Sequence, residues 1–254
     1  MKKTFFLLCA ILWVPGAGLL PAQVAQPPRI SVNSFAKVKA RPDLAIIFLT
    51  VHTTAPLAAD ALDQNNRRVQ AIKERLAALG YKEDQVKFSG NWFAPAGGRT
   101  VAYGDQRPTG FDVSVNLLIY IDGPELKDSQ QFNSRVSGLL DEMSKLGASA
   151  GNMPIYPFSP GTTSIVAFTL KDPSALEKQA FQQAWEKARP MAEDIARDMN
   201  VKITGIESVS AGQQQNPNAD RLDSFGIDLP YKYLSSSVNE VSVRVNLYVQ
   251  YYYK

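Results

Sequence analysis

The sequence predicts an α+β protein in which antiparallel or mixed sheets pack against three amphipathic helices. Two observations carry this. Long stretches alternate apolar and polar residues with period two, and three others repeat apolar residues at spacings of three, four or seven. A third observation orders them: strands arrive in pairs between helices, giving β-β-α-β-β-α-β-β-α-β-β.

Residues 1–22 precede that pattern. Lys2 and Lys3 are followed by an apolar run from Phe5 to Val14, then Pro15, Gly16, Gly18 and a small-residue site at Leu20-Pro21-Ala22. This is the order of a cleavable secretory leader. The run is shorter than the roughly 20 residues a spanning helix needs, which disfavours an uncleaved anchor. Cys9 lies inside the apolar run behind Phe6-Leu7-Leu8, which argues against lipidation. It is the single cysteine, so the exported chain has no thiol and must be held by its core rather than by disulfides. Loss of Lys2 and Lys3 also removes most of the net charge of +3. The near-neutral remainder favours neither nucleic acid nor an anionic membrane as partner.

Residues 23–28 read as a flexible lead. Strands follow at 29–35 and 43–54, the second rich in β-branched residues. The spacing of Ala58, Leu62, Val69, Ile72, Leu76 and Leu79 predicts a helix over 56–79, with Pro56 at its first turn and Gly80 past its end. Asn65 falls on that apolar stripe and reads as a buried amide bonded to backbone. A strand is expected at 85–92, a long loop at 93–109, and an alternating strand at 110–121. The second helix covers 129–146 and stops at Gly147. Short strands are expected near 152–158 and 164–170.

The third helix covers 173–199 after Asp172-Pro173. It carries an alanine every fourth residue from Ala180 to Ala196, a stripe for close packing. Pro190 is expected to kink it, because the Glu186 carbonyl loses its donor. A strand at 201–211, a polar segment at 212–239 and a long alternating strand at 240–252 close the chain. Residues 43–121 and 164–252 then read as two β-α-β-β units. The domain reading is one domain over 29–254, with sub-units 29–122 and 159–254 joined by 123–158.

Certain residues, in this order and spacing, resemble the SIMPL-domain (DUF541) family of bacterial periplasmic and secreted proteins. They are Ile30-Ser31-Val32 with Arg41-Pro42-Asp43-Leu44-Ala45, Leu79-Gly80-Tyr81, Gly110-Phe111-Asp112-Val113-Ser114-Val115, and Ala180, Ala184, Lys187, Ala188, Met191 and Ala192 running into Val201-Lys202-Ile203-Thr204-Gly205-Ile206. The resemblance spans about 29–252. Asn33-Ser34, Pro190 and Asn200-Val201 depart from the family pattern. The resemblance implies an α+β fold, export, in some relatives a ring-like homo-oligomer, and a link to stress; it brings no catalytic residues.

The residues themselves offer little chemistry. One histidine, His52, and no exported cysteine leave a histidine-based triad or zinc site without partners. His52 reads as a strand residue with a local hydrogen bond. No Gly-x-Ser-x-Gly or P-loop pattern occurs. Asp141-Glu142 and Glu193-Asp194 are adjacent on helices and point apart. Asp220, Asp223 and Asp228 lack calcium-loop spacing. No catalytic residue, cofactor or metal is therefore expected.

Aromatics cluster at Trp92, Phe93, Tyr103, Tyr231, Tyr233 and Tyr251, as contact surfaces do, although packing of loops onto the domain explains them equally. The expected function is a non-enzymatic envelope protein, periplasmic or else extracellular or outer-membrane associated, that self-assembles or mediates interactions. The alternative is a binding module for a small molecule or glycan framed by loops 93–109 and 212–237. Three amphipathic helices and too few strands argue against a membrane barrel.

Overall fold

The computed structural model describes residues 27–96, 110–122, 126–151, 153–154, 163–213 and 231–254. In chain order they form β1 (Arg29–Ala40), β2 (Leu44–Ala55), α1 (Ala58–Ala78), β3 (Val86–Pro95), β4 (Phe111–Asp122), α2 (Ser129–Lys145), β5 (Ala148–Ala150), β6 (Met153–Pro154), β7 (Thr163–Ser164), β8 (Val166–Thr169), α3 (Ser174–Asp198), β9 (Ile203–Gln213) and β10 (Val241–Tyr253). This is the expected α+β class, and every strand pairing is antiparallel.

β1, β10 and β9 form a three-stranded sheet in that order. Period-two alternation turns Ile30, Val32, Ala36 and Val38 inward, facing Val243, Val245, Leu247 and Val249 of β10. α3 lies on this face. Its alanines at 180, 184, 188, 192 and 196 are all buried, and a methyl-only stripe lets the helix backbone approach the strands. Close approach is what brings the buried Ser34 hydroxyl within 2.7 Å of the Ala184 carbonyl, to which it donates. The polar residue of β1 is thereby satisfied inside the core. α3 runs without interruption through Pro190. Pro190 and Glu186 are both exposed, so water can serve the carbonyl that lost its donor.

The second sheet has the order β3-β4-β2, with β5 and β8 sharing the far edge of β2. Residues 44–49 of β2 are buried on both faces, α1 and α2 lying on one side. On the other, Leu44, Ile46 and Phe48 pack with Leu118, Ala167, Tyr231 and Leu234. Asn65 is fully buried on α1, and its Nδ2 donates to the carbonyls of Val51 (3.2 Å) and Val113 (3.3 Å), as its place on the stripe predicts. α2 is capped by Asp128, whose Oδ1 accepts from the backbone N–H of Gln130 and Gln131.

Several boundaries move. β1 extends to Ala40, five residues past the expected end, because Lys37 and Lys39 take the outward positions of the alternation. α1 starts at Ala58 rather than Pro56, since β2 continues to Ala55. Phe93–Pro95 belong to β3 and Gly212–Gln213 to β9, not to loops. Around Ser235 the chain pairs with Phe168 through two 2.8 Å backbone bonds, so the end of the polar segment is built into the fold. The three-residue β5 was not expected. Of the strand expected at 152–158, only Met153–Pro154 lies within the described residues.

The repeat is also re-formed. The first unit, β2-α1-β3-β4, has the strand order β3-β4-β2 under α1. Its counterpart, β9-β10-β1 under α3, takes its outer strand from β1, whereas β8 joins β2 in the other sheet. The second unit is therefore discontinuous in sequence. β1 thus completes the sheet under α3 together with the last two strands.

Candidate functional site

Beyond the apolar patch around Phe48, the open face of the second sheet becomes polar. The register places His52 opposite Ser114, Thr54 opposite Asp112, and Trp92 of β3 opposite Ser114. Thr54 Oγ1 donates to Asp112 Oδ1 at 2.6 Å. Its hydroxyl proton is thus committed, and the 3.2 Å contact with His52 Nε2 requires the imidazole to donate. In the neutral ring Nδ1 is then the bare nitrogen and accepts from Ser114 Oγ at 2.9 Å. A carboxylate, a threonine, an imidazole and a serine form one hydrogen-bonded chain across two strands. Arg68 of α1 anchors it from behind by donating to the His52 carbonyl at 2.8 Å.

A hydroxyl facing a bare imidazole nitrogen has the geometry of a nucleophile and its base. Acyl transfer also needs donors for the developing oxyanion. Ser114 lies mid-strand in β4, between β2 and β3, so the surrounding backbone N–H groups are committed to the ladder. Among the described residues the chain of bonds satisfies its own members, which agrees with His52 as a locally bonded strand residue.

Three of the four paired carboxylates form ion pairs with basic side chains. Glu142 meets Arg75 and Lys145, which together hold its carboxyl below the usual carboxylate range. Glu193 bonds Arg189 and Asp194 bonds Arg197. No group of three His, Cys, Asp or Glu among the described residues is placed to hold a metal. Asp220, Asp223 and Asp228 lie outside them.

The six candidate contact aromatics are not brought together. Trp92 and Phe93 are 48% and 51% exposed on β3, an edge strand. Tyr231 packs its ring 6.2 Å from that of Tyr120. Tyr233 is buried, and its hydroxyl donates to Glu177 Oε1 at 3.0 Å; burial and that carboxylate push the phenol far above its ordinary range. Tyr251 is buried beneath α3, and burial raises its phenol too. Tyr103 lies outside the described residues, as does most of the two loops suggested to frame a pocket. Among the described members of the set, Trp92 and Phe93 are the ones exposed on the surface.

A family model described as "SIMPL: Protein of unknown function (DUF541)" matches residues 30–251. The chain belongs to the SIMPL family. It is also similar to the "26 kDa periplasmic immunogenic protein" of Brucella melitensis biotype 1 (strain 16M) and to that of Brucella abortus (strain S19). Each is 26% identical over 208 residues, covering 77% of this chain and 73% of the relative. The family's marker residues in this SIMPL chain do structural work. Arg41 Nη2 donates to the carbonyls of Leu126 and Lys127. Gly80 closes α1 with φ +87°. Tyr81 is buried under Arg135, which stacks 5.0 Å from its ring.

Sequence reasoning missed one surface cluster: Phe35, Lys37, Arg244 and Lys187. Alternation alone would place the first three on outward faces. Their meeting depends on the β1–β10 register and on the position of α3, which no local pattern encodes.

Proposed function

We propose that this SIMPL protein is an exported, non-enzymatic protein of the bacterial periplasm that works by self-assembly. The observation that carries the reading is the outer edge of β3, which among the described residues pairs with no other strand. Trp92 and Phe93 stand there on a ten-residue strand that pairs with β4 on one side. A long edge with large apolar side chains is a template for another chain. The leader read from residues 1–22, the location printed in the relatives' names and, among the described residues, the commitment of the backbone around Ser114 to the strand ladder support the rest. The family resemblance adds a role in stress tolerance, which growth of a deletion strain under oxidant or osmotic challenge would test.

Light scattering on the chain beginning at residue 23 tests the assembly. The expected mass is a multiple of the monomer's, reduced toward the monomer by Trp92→Lys with Phe93→Lys. A wild-type protein that stays monomeric at high concentration overturns the reading.

A further inference from the structure

The open face of the β1-β10-β9 sheet gathers charge that the near-neutral composition averages away. At its two ends the cations are matched: Arg29 with Glu207 and Lys39 with Glu240, each at 2.8 Å. In the middle they are not. The register sets Lys37 directly opposite Arg244, a like-charge pair that disfavours the strand pairing. Arg244 stacks its guanidinium 4.5 Å from the Phe35 ring centroid. From the flank, Lys187 of α3 reaches round the β1 edge, its Nζ 5.8 Å from the same ring and donating to the Phe35 carbonyl at 3.3 Å. Phe35 itself is 54% exposed. Among the described residues, no carboxylate pairs with Lys37, Arg244 or Lys187.

Arg244 is also held in place. Its Nε donates to Asn246 Oδ1 at 3.1 Å, and the ring packs against its plane. Among the described residues the two terminal nitrogens of this fork have no hydrogen-bond partner, and part of the ordering entropy is already spent. Three unmatched cations around an exposed ring suit an anionic partner with an apolar boundary. The backbone of β10 is paired on both sides, with β1 and with β9, so a lone phosphate over Arg244 would meet side chains only. A planar array of phosphates meets all three cations at once. Phe35, together with Tyr248, which is 42% exposed on the same face, would then lie at headgroup depth where aromatic rings concentrate.

We propose that this face docks on an anionic phospholipid leaflet through Lys37, Arg244 and Lys187 around Phe35. The proposal does not depend on self-assembly.

The test is co-sedimentation of the chain beginning at residue 23 with phosphatidylglycerol–phosphatidylcholine vesicles and with pure phosphatidylcholine vesicles. Binding is expected to the first alone, and it should weaken as salt screens the charges. Each cation near such a surface is worth about five-fold in affinity, so Lys37→Glu, a change of two charge units, should weaken binding about 25-fold. The same substitution places a carboxylate opposite Arg244 and should raise Tm, separating docking from folding. Lys187→Glu, outside the sheet, gives an independent reading if the strand variant fails to fold. Wild-type protein that ignores phosphatidylglycerol, or variants that bind as well as wild type, overturn the proposal. So does displacement by inorganic phosphate at constant ionic strength, which would mark a compact phosphate site. A change of light-scattering mass in Lys37→Glu would also overturn it, by marking the face as a contact between copies.

Discussion

Gly110 shows what one absent side chain does for the site. A Cβ built on it would lie 2.5 Å from the Ala55 carbonyl oxygen and 3.1 Å from its carbon, both backbone atoms. The Gly110 carbonyl meanwhile accepts from Ala96 N–H at 2.8 Å. The residue thus fits where the ends of β2 and β3 converge, just before the strand that carries Asp112 and Ser114. Gly110→Ala must displace backbone, so a loss of about 1–3 kcal/mol is expected, the usual cost of overpacking. Gly138, inside α2, has nothing within 4 Å of its built Cβ. Gly138→Ala should therefore gain up to about 1 kcal/mol from helix propensity. Thermal melts of the two variants should move in opposite directions. Equal shifts would refute the steric account of Gly110. At this scale the core polar residue was legible: Asn65 on an apolar stripe announced a buried amide. The bonding of His52 to Ser114, and through Thr54 to Asp112, was not, because it joins residues about sixty positions apart through a strand register.

The elements were legible to the extent that their periodicity is local. α3 is the clearest case. Its alanines at every fourth position predicted a close-packed face, and the buried stripe follows them from Ala180 to Ala196. Ala188 sits near the middle of that stripe, fully buried, with the Ser34–Ala184 hydrogen bond one turn away. Ala188→Leu would lift the helix from β1 and β10, breaking that bond as well as overpacking the core. The expected cost is about 1–3 kcal/mol for the overpacking and about 1 kcal/mol more for the lost bond. Urea unfolding measures it, and a cost below about 0.5 kcal/mol would contradict a rigid helix–sheet contact. Elements without internal period were missed or misjudged. β5 has three residues, too few to alternate visibly, and its pairing with β2 is the reason it exists. The extra length of β1 was hidden because its outward positions there are Lys37 and Lys39, a residue type with little strand preference of its own.

At the scale of the whole molecule, β1 forms a sheet with β10, and buried or half-buried tyrosines sit at several of the seams. Tyr251 lies between β10 and α3. Tyr231 covers the second sheet against Tyr120. Tyr233 ties the 231–235 segment to α3 through Glu177, and its carbonyl accepts from Thr169 of β8 at 2.6 Å. All three phenols are raised above their ordinary value of about 10, chiefly by burial, with the Glu177 carboxylate adding to the shift at Tyr233. A phenol raised in the folded state keeps its proton longer there than in the unfolded chain. Above pH of about 10 the unfolded chain sheds protons first, so stability falls as pH rises toward the folded values. Below that pH the contribution is complete. Urea midpoints should therefore stay level, as far as these groups govern them, from neutrality to about pH 9 and decline beyond about pH 10. Tyr233→Phe should start about 1 kcal/mol lower, having lost the bond to Glu177, yet decline less steeply because the most strongly shifted phenol is gone. A decline of unchanged steepness in that variant would show that alkaline unfolding is governed elsewhere than at the Tyr233 seam.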